Sequence, residues 1–566
     1  MKYLEVKVQR STHALVAVAA VAMLGLSACG GGAQTAATVD APALSDINPK
    51  DRSELAEGGN LRIGLTGMPT QWNYIAAGGA DNNLSQILAF TAPANFILDE
   101  AAVATPNPNY VTDVEVSEPD VTPQVVTLKL NPEAKWNSGK SITWADYDAT
   151  VKACNGENEA FDCASTDGYN QVAKVEKGAD EFEVKITFKS TYPDWRAAFS
   201  TVFAADAVTD PKVFAEGQLD GLNNEWQAGP FVVDKIDKNT QRVYLKRNDK
   251  WWGEKAILDT VEFHALEGDL VASAFGNSET DVASTLATAD QLQKAMQRQD
   301  HTIRKAGSPQ WRHFTFNSQS GLLADKALRQ AIVRGINRVA IAESDLVGLP
   351  VEPQKLMLGN HFFMPGQEGY EDNSGDFAYD PERAAKELDE LGWKLEDGKK
   401  FRMKDGQELK VEYAMLTGIV TSENEGKLFQ SDMEKIGVNV VFKNVPPADF
   451  GKTLQEGNFG IIAFTWVGTP YPMNNIGQIY GCESESNYSK VCSKEIEKNR
   501  ELADVELDKQ KRIGYANAAD KAIWDEVMTL PLYRRMEFTA VPADLANYGA
   551  FGNVSIQPEN VGFVKK

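Results

Sequence analysis

The chain has 566 residues, 43% of them hydrophobic, and its 80 Asp and Glu outnumber 57 Lys and Arg to give a formal net charge of −23. That length exceeds what one hydrophobic core supports, so two or more lobes are expected. The acid surplus argues against a nucleic-acid partner and for a solvated, exported surface.

The first element is a leader. Lys2, Lys7 and Arg10 stand against only Glu5, and the 13-residue apolar run from Ala14 to Leu26 follows. A bilayer of about 30 Å needs roughly 20 helical residues, so the run is too short to span and reads as a signal peptide over residues 1–28. It ends in Leu26-Ser27-Ala28-Cys29, with two small residues before a thiol. That run resembles a bacterial lipobox, in which Cys29 would receive a diacylglyceryl thioether and become the mature N-terminus, anchoring the chain to the cell membrane. Loss of the leader's net +2 leaves −25 on the mature form. Residues 29–59 hold almost no aromatic side chains and bury little apolar surface, so they are expected to form a flexible tether, reaching roughly 30 Å.

Folded structure is expected from Asn60, where Asn60-Leu61-Arg62-Ile63-Gly64-Leu65 alternates in the manner of a strand. Val125 to Leu130, Phe182 to Phe188, Phe231 to Ile236 and Val243 to Leu245 read as strands with one wet face. Asp325 is placed to cap a helix in which Leu328, Ala331, Ile332 and Ile336 share a face. Asp380-Pro381 starts another, with Ala384, Leu388 and Leu391 as its stripe and Gly392 at its end. The fold class is mixed α/β.

Besides Cys29, four cysteines fall in two close pairs, Cys154 with Cys163 and Cys482 with Cys492. Outside the cytoplasm such pairs favour disulfides. Of the three connectivities the two local loops are the leading one. A metal site is the rival reading, but no pair has a zinc-knuckle gap and no histidine lies near.

Catalytic signatures are missing. The sequence contains no HExxH and no GxSxG, and His264, His301, His313 and His361 are isolated from one another. Ala134-Lys135-Trp136-Asn137-Ser138-Gly139-Lys140-Ser141 ends like a phosphate-binding loop. It lacks the first glycine and carries bulky Trp136 where backbone amides should cradle phosphate. No enzymatic activity, cofactor or metal is expected.

The same segment with its flanks, Leu128 to Tyr147, resembles the strand, turn and helix start of extracytoplasmic solute-binding proteins of the peptide/nickel class, family 5. Gly229-Pro230-Phe231 with Arg247-Asn248-Asp249-Lys250-Trp251-Trp252 is similar to a second block of that family. Leu328-Arg329-Gln330-Ala331-Ile332 with Ile336-Asn337-Arg338 resembles a third, and Tyr379-Asp380-Pro381-Glu382-Arg383-Ala384 with Leu391-Gly392-Trp393 a fourth. Leu530-Pro531-Leu532-Tyr533 matches a short strand near the family's C-terminus. The resemblance implies a two-lobed periplasmic-binding-protein-like clamp with an extra subdomain in the larger lobe. Lobe I is expected over 60–310, with the subdomain at about 85–220, lobe II over 311–515, and a return to lobe I over 516–566; the crossings are expected near 305–312 and 515–530.

Function is implied by the same resemblance. The chain is expected to be the substrate-binding lipoprotein of an ABC importer, a monomer that captures oligopeptides or dipeptides and delivers them to the membrane permease. The alternatives are a lipoprotein of the same fold serving envelope glycolipid assembly, or binding of another solute such as a nickel complex or a sugar. In peptide-binding members a Trp-x-Ala-Asp-Tyr segment of lobe II holds the ligand's ammonium with its aspartate. Here Trp466, Val467, Gly468, Thr469 and Tyr471 occupy the aligned run, and Thr469 stands where the acid belongs; a hydroxyl makes a weaker partner than a charge-assisted one. Asp81 and Glu483 are candidates to take over the amine. On the other jaw Gln71, Trp72, Asn73 and Tyr74 are expected to offer aromatic and amide groups to the ligand.

Overall fold

The computed structural model describes residues 43–566 apart from 119–120, 267–269, 285 and 485. The leader and Cys29 lie outside the described residues. Among the described residues no helix is long and apolar enough to cross a membrane.

Ten strands join one sheet in the order Asn439–Val445, Lys410–Leu416, Ile461–Val467, His301–Phe316, Thr529–Pro542, Val282–Ala283, Asn60–Leu65, Thr260–Ala265, Arg242–Arg247 and Phe231–Asp237. Asn60–Leu65 is buried at alternate and then consecutive positions because it lies inside the sheet, parallel to both neighbours. The two longest strands, His301–Phe316 and Thr529–Pro542, pair with each other antiparallel along nearly their whole length. Their distal halves carry Ile461–Val467 and the rest of one lobe, and their other halves carry Val282–Ala283 and the other lobe.

The ladder between these strands is interrupted between Gly307 and Trp311. Arg534, 1% exposed, fills the gap, its Nε donating to the Ser308 carbonyl at 2.7 Å and its Nη2 to the Gly307 carbonyl at 2.7 Å. A bulge leaves carbonyls without ladder partners, and the guanidinium supplies them. A Cβ at position 307 would collide with that guanidinium, so the glycine is needed for the close approach.

A separate antiparallel sheet, Val111–Val116, Val125–Leu130, Glu183–Phe188 and Val172–Lys177, is the subdomain. Val126, Leu128 and Leu130 alternate with less buried positions, as the sequence pattern requires, and pack with Tyr147, Trp195 and Phe199 into a core of their own. Lobe I has its core around Ile63, Phe90 and Phe263, and lobe II around Phe314, Ile332 and Phe429. Asp325 caps Lys326–Arg334 by accepting from Ala327 N at 2.9 Å, and Asp380 caps Pro381–Glu390 by accepting from Arg383 N at 2.9 Å. Both cystine loops close locally, Cys154 with Cys163 and Cys482 with Cys492.

Two expectations are corrected. The tether does not extend to residue 59. Asp46 and Ala550 exchange backbone hydrogen bonds at 2.8 and 3.0 Å, Gly307 N donates to Ala43 O at 2.9 Å, and Leu55–Ala56 pairs with Gly562–Val564. A segment poor in apolar residues is held here by its main chain, which a composition argument does not count. The second crossing is also later than 515–530. Lys509–Glu526 is a helix that packs on Lys494–Val505 and Lys326–Arg334 of lobe II, so the chain crosses along Thr529–Pro542.

Candidate functional site

Two adjoining cavities open between helix Asn82–Thr91 and its surroundings, sharing Ser85, Ala89 and Ile556 as a common wall. The first, about 300 Å³, is bounded by Trp72, Tyr74, Leu88, Phe203 and Trp226, with the Gln218 and Gln227 amides among them. The second, about 520 Å³, runs along the interrupted part of the long strand pair, past Ser308 to Gln310 and Arg535 to Glu537, and reaches lobe II at Val467. Such sizes, with mostly apolar walls and a few fixed polar groups, suit a small organic ligand.

The loop before helix Asn82–Thr91 is rigid for local reasons. Gln71 donates to the Ala215 carbonyl and Asn73 to the Phe214 carbonyl, each at 2.9 Å, and Trp72 N donates to Gln218 O at 3.1 Å. Gln71 is thus spent on backbone, while Trp72, 2% exposed, Asn73 and Tyr74, 37% exposed, line the first cavity. Burial pushes the Tyr74 phenol up, and Asp81 adds to the shift. Asp81 itself caps the helix, accepting from Asn83 N at 2.6 Å and Leu84 N at 3.0 Å. Glu483 is exposed, and neither acid lines either cavity.

On lobe II, Trp466 ends strand Ile461–Val467 and is half-buried. Its ring stacks on His313 at 6.0 Å and on Tyr488 at 6.0 Å, and meets Phe464 edge-on at 5.1 Å. It supports the cleft from behind, and Val467, 62% exposed, is the residue of this run that faces the second cavity. Gly468 N donates to the Pro309 carbonyl at 2.9 Å, tying the run to the crossing strand. Thr469 is exposed, and its hydroxyl accepts from Tyr471 N at 3.2 Å. Burial pushes the Tyr471 phenol up to about 12, against the pull of Arg196 in the subdomain.

Subdomain and lobe II touch directly. Asp194 and Arg512 form a buried pair, and Tyr192 Oη lies 3.5 Å from Asn474 Oδ1. A cavity of about 490 Å³ beside them is lined by Asn170, Tyr192, Gln478 and Asp504. The structure therefore brings Trp72, Tyr74 and Val467 to one cleft, sets Trp466 behind it, and leaves Gly468, Thr469 and Tyr471 on the adjoining turn. Sequence reasoning passed over Arg535 and Glu537. Their signal is alternation: both follow Leu530 to Tyr533 on one strand, two residues apart, and so share a face.

The chain matches the model for bacterial extracellular solute-binding proteins, family 5, middle part, over residues 105–487. It is 37% identical over 558 residues to the oligopeptide-binding protein OppA of Mycobacterium tuberculosis, covering 97% of this chain and 93% of that one. The solved structure of the periplasmic EDTA-binding protein EppA superposes with a TM-score of 0.82 at 22% identity, covering 92% of this chain and 98% of that one. The oligopeptide-binding protein AppA of Bacillus subtilis in complex with a nonapeptide does so with a TM-score of 0.72 at 18% identity, covering 90% and 100%. These structures share the two-lobed fold described above, and with the sequence matches they establish that the chain belongs to the bacterial extracellular solute-binding proteins of family 5.

Proposed function

We propose that this protein is the extracytoplasmic substrate-binding lipoprotein of an ABC importer, which captures oligopeptides or dipeptides between its lobes and hands them unchanged to permease subunits in the membrane. The observation that carries the reading is the cleft. A largely apolar cavity with amides from Gln218 and Gln227 adjoins a more polar one at the crossing strands, and such walls suit a ligand with a polar backbone and variable side chains. The near full-length similarity to a protein named for oligopeptide binding supports the same conclusion. Trp72, Tyr74 and Val467 are the proposed contacts, with Trp466, Gly468, Thr469 and Tyr471 shaping the turn beside them.

In this reading lobe I comprises residues 43 to about 307 and the chain after Met536, and lobe II lies between the two crossings. Cys29 carries the lipid, and the segment before Ala43 links it to the body. The protein works as a monomer. Mass spectrometry of ligand released from protein purified without refolding tests the proposal. Peptides are expected; lipid-linked glycans, sugars or nickel complexes in their place would overturn it.

A further inference from the structure

Charge is scarce on the walls of the cleft. Among the described residues lining the two adjoining cavities, Arg535 and Glu537 are the only charged ones, and both face the larger cavity. The carboxylate of Glu537 accepts two main-chain hydrogen bonds, Oε1 from Phe551 N at 3.2 Å and Oε2 from Gly552 N at 3.1 Å, and its one side-chain neighbour of use is the neutral Thr539 hydroxyl on the same strand. A carboxylate accepts about four hydrogen bonds, so capacity for a further donor remains. Among the described residues no Lys, Arg or His nitrogen forms an ion pair with it, and Arg535 forms none either. Glu537 is half-buried, and a carboxylate partly withdrawn from water without a cation carries a desolvation cost. Burial accordingly pushes the Glu537 carboxyl above its ordinary value, with the two amides and the Thr539 hydroxyl pulling the other way. The neighbouring crossing strand adds no charge here, since the residue opposite Glu537 is Ala306.

A ligand ammonium supplies the missing partner. We propose that Glu537 is the ammonium anchor of this cleft, taking the free amino terminus of a bound peptide in place of the acid absent at Thr469. The inference rests on the peptide reading above and adds a specific charged contact to it. Thr469 is exposed and engaged with Tyr471 N, and Asp81 is engaged as a helix cap, so neither competes for the role. Arg535 shares the wall and opposes a bound cation, which makes it the control: its removal should sharpen the preference for a free amine.

The experiment equilibrates the mature chain, stripped of ligand, with an equimolar library of di- to pentapeptides of Ala, Leu and Phe, each free and N-acetylated, and reads bound species by native mass spectrometry. The parent protein is expected to retain free-amine peptides at least 10-fold over their acetylated forms. Glu537→Gln should bring that ratio to within 2-fold while acetylated peptides bind as before. Glu537→Asp should keep a preference, and Arg535→Gln should raise it. Unchanged melting temperature and unchanged binding of acetylated peptides separate loss of the anchor from loss of the Phe551–Gly552 turn. A preference that survives Glu537→Gln, or an equal loss of free and acetylated peptides in that variant, overturns the inference and leaves the peptide reading intact. Failure of the parent protein to retain any peptide overturns both.

Discussion

Arg512 of lobe II donates to both carboxylate oxygens of Asp194 in the subdomain, a residue 318 positions earlier, with Nη1 at 2.7 Å from Oδ1. Both side chains are less than a tenth exposed. A bidentate buried pair between two jaws exists only while the jaws are together, so it acts as a latch on the closed clamp.

Replacing one partner leaves the other charge buried and unpaired, at a cost of about 3 to 5 kcal/mol to the closed form. Arg512→Ala is therefore expected to open the clamp, and Asp194→Asn with Arg512→Gln to open it less. Small-angle scattering of ligand-free protein should show a larger radius of gyration for the single variant than for the parent. An unchanged radius would remove the pair from the closure mechanism.

Asp345 is half-buried at the edge of the lobe II core beside the Arg312–Glu425 pair, and Tyr533 Oη donates to its Oδ2 at 3.1 Å. Burial, reinforced by the Glu425 charge, pushes its carboxyl up to about 8. Its Oδ1 has no partner as an acceptor, the arrangement expected of an acid that keeps its proton and donates it to the neighbouring carboxylate. The folded chain thus holds a proton that the unfolded chain releases above about pH 4. The stabilisation is complete below that value and is lost as the pH rises towards 8. Denaturant unfolding should show the parent losing up to about 1.4 kcal/mol per pH unit across that window relative to Asp345→Asn. Parallel pH profiles for the two proteins would show that Asp345 is ionised in the fold.

The Cys482–Cys492 bridge closes a loop that contains Tyr488, and Tyr488 stacks on Trp466. Each cystine contributes about 2 to 3 kcal/mol on loop-closure grounds. Converting Cys482 and Cys492 to Ala should lower stability by about that amount and also weaken ligand binding, because the Trp466 support behind Val467 loosens. The same change at Cys154 and Cys163, in the subdomain away from that strand, should lower stability with a smaller effect on binding. Calorimetry with the peptide recovered from the purified protein distinguishes them, and equal losses of affinity would refute the coupling through Tyr488.

Cys29→Ser should abolish incorporation of labelled acyl chains and leave unprocessed or unlipidated protein. Retention with undiminished label would locate the lipid elsewhere.

The parts of this fold that were legible in the sequence are those specified locally. Val125–Leu130 declares itself by alternation, and Asp325 and Asp380 by standing directly before a helix with an apolar stripe. The two cystines follow from spacing and compartment. The site was legible only in outline. Trp72 and Tyr74 were found because aromatic groups following a first strand are conspicuous, but Trp466 stands behind the cleft, because two flat partners, His313 and Tyr488, arrive from distant parts of the chain to clasp it. Glu537 escaped notice because alternation after Leu530 to Tyr533 gives it a face but not a role, and its meaning lies in the cations that are not beside it. The packed stretch 43–59 escaped for a related reason, since main-chain hydrogen bonds leave no mark on composition.

The two lobes are branches of one sheet, joined where two adjacent antiparallel strands lose their ladder between Gly307 and Trp311 and where Arg534 bridges the gap. A pair of paired strands bends more readily than it slides, so hinge bending at this joint is the motion expected of the lobes. The second cavity borders that joint through Ser308, Pro309 and Gln310, so an occupant pushes directly on the axis and not merely on the jaws. On the importer reading, a permease would need to sense only the angle at this joint, whatever the chemical detail of the cargo.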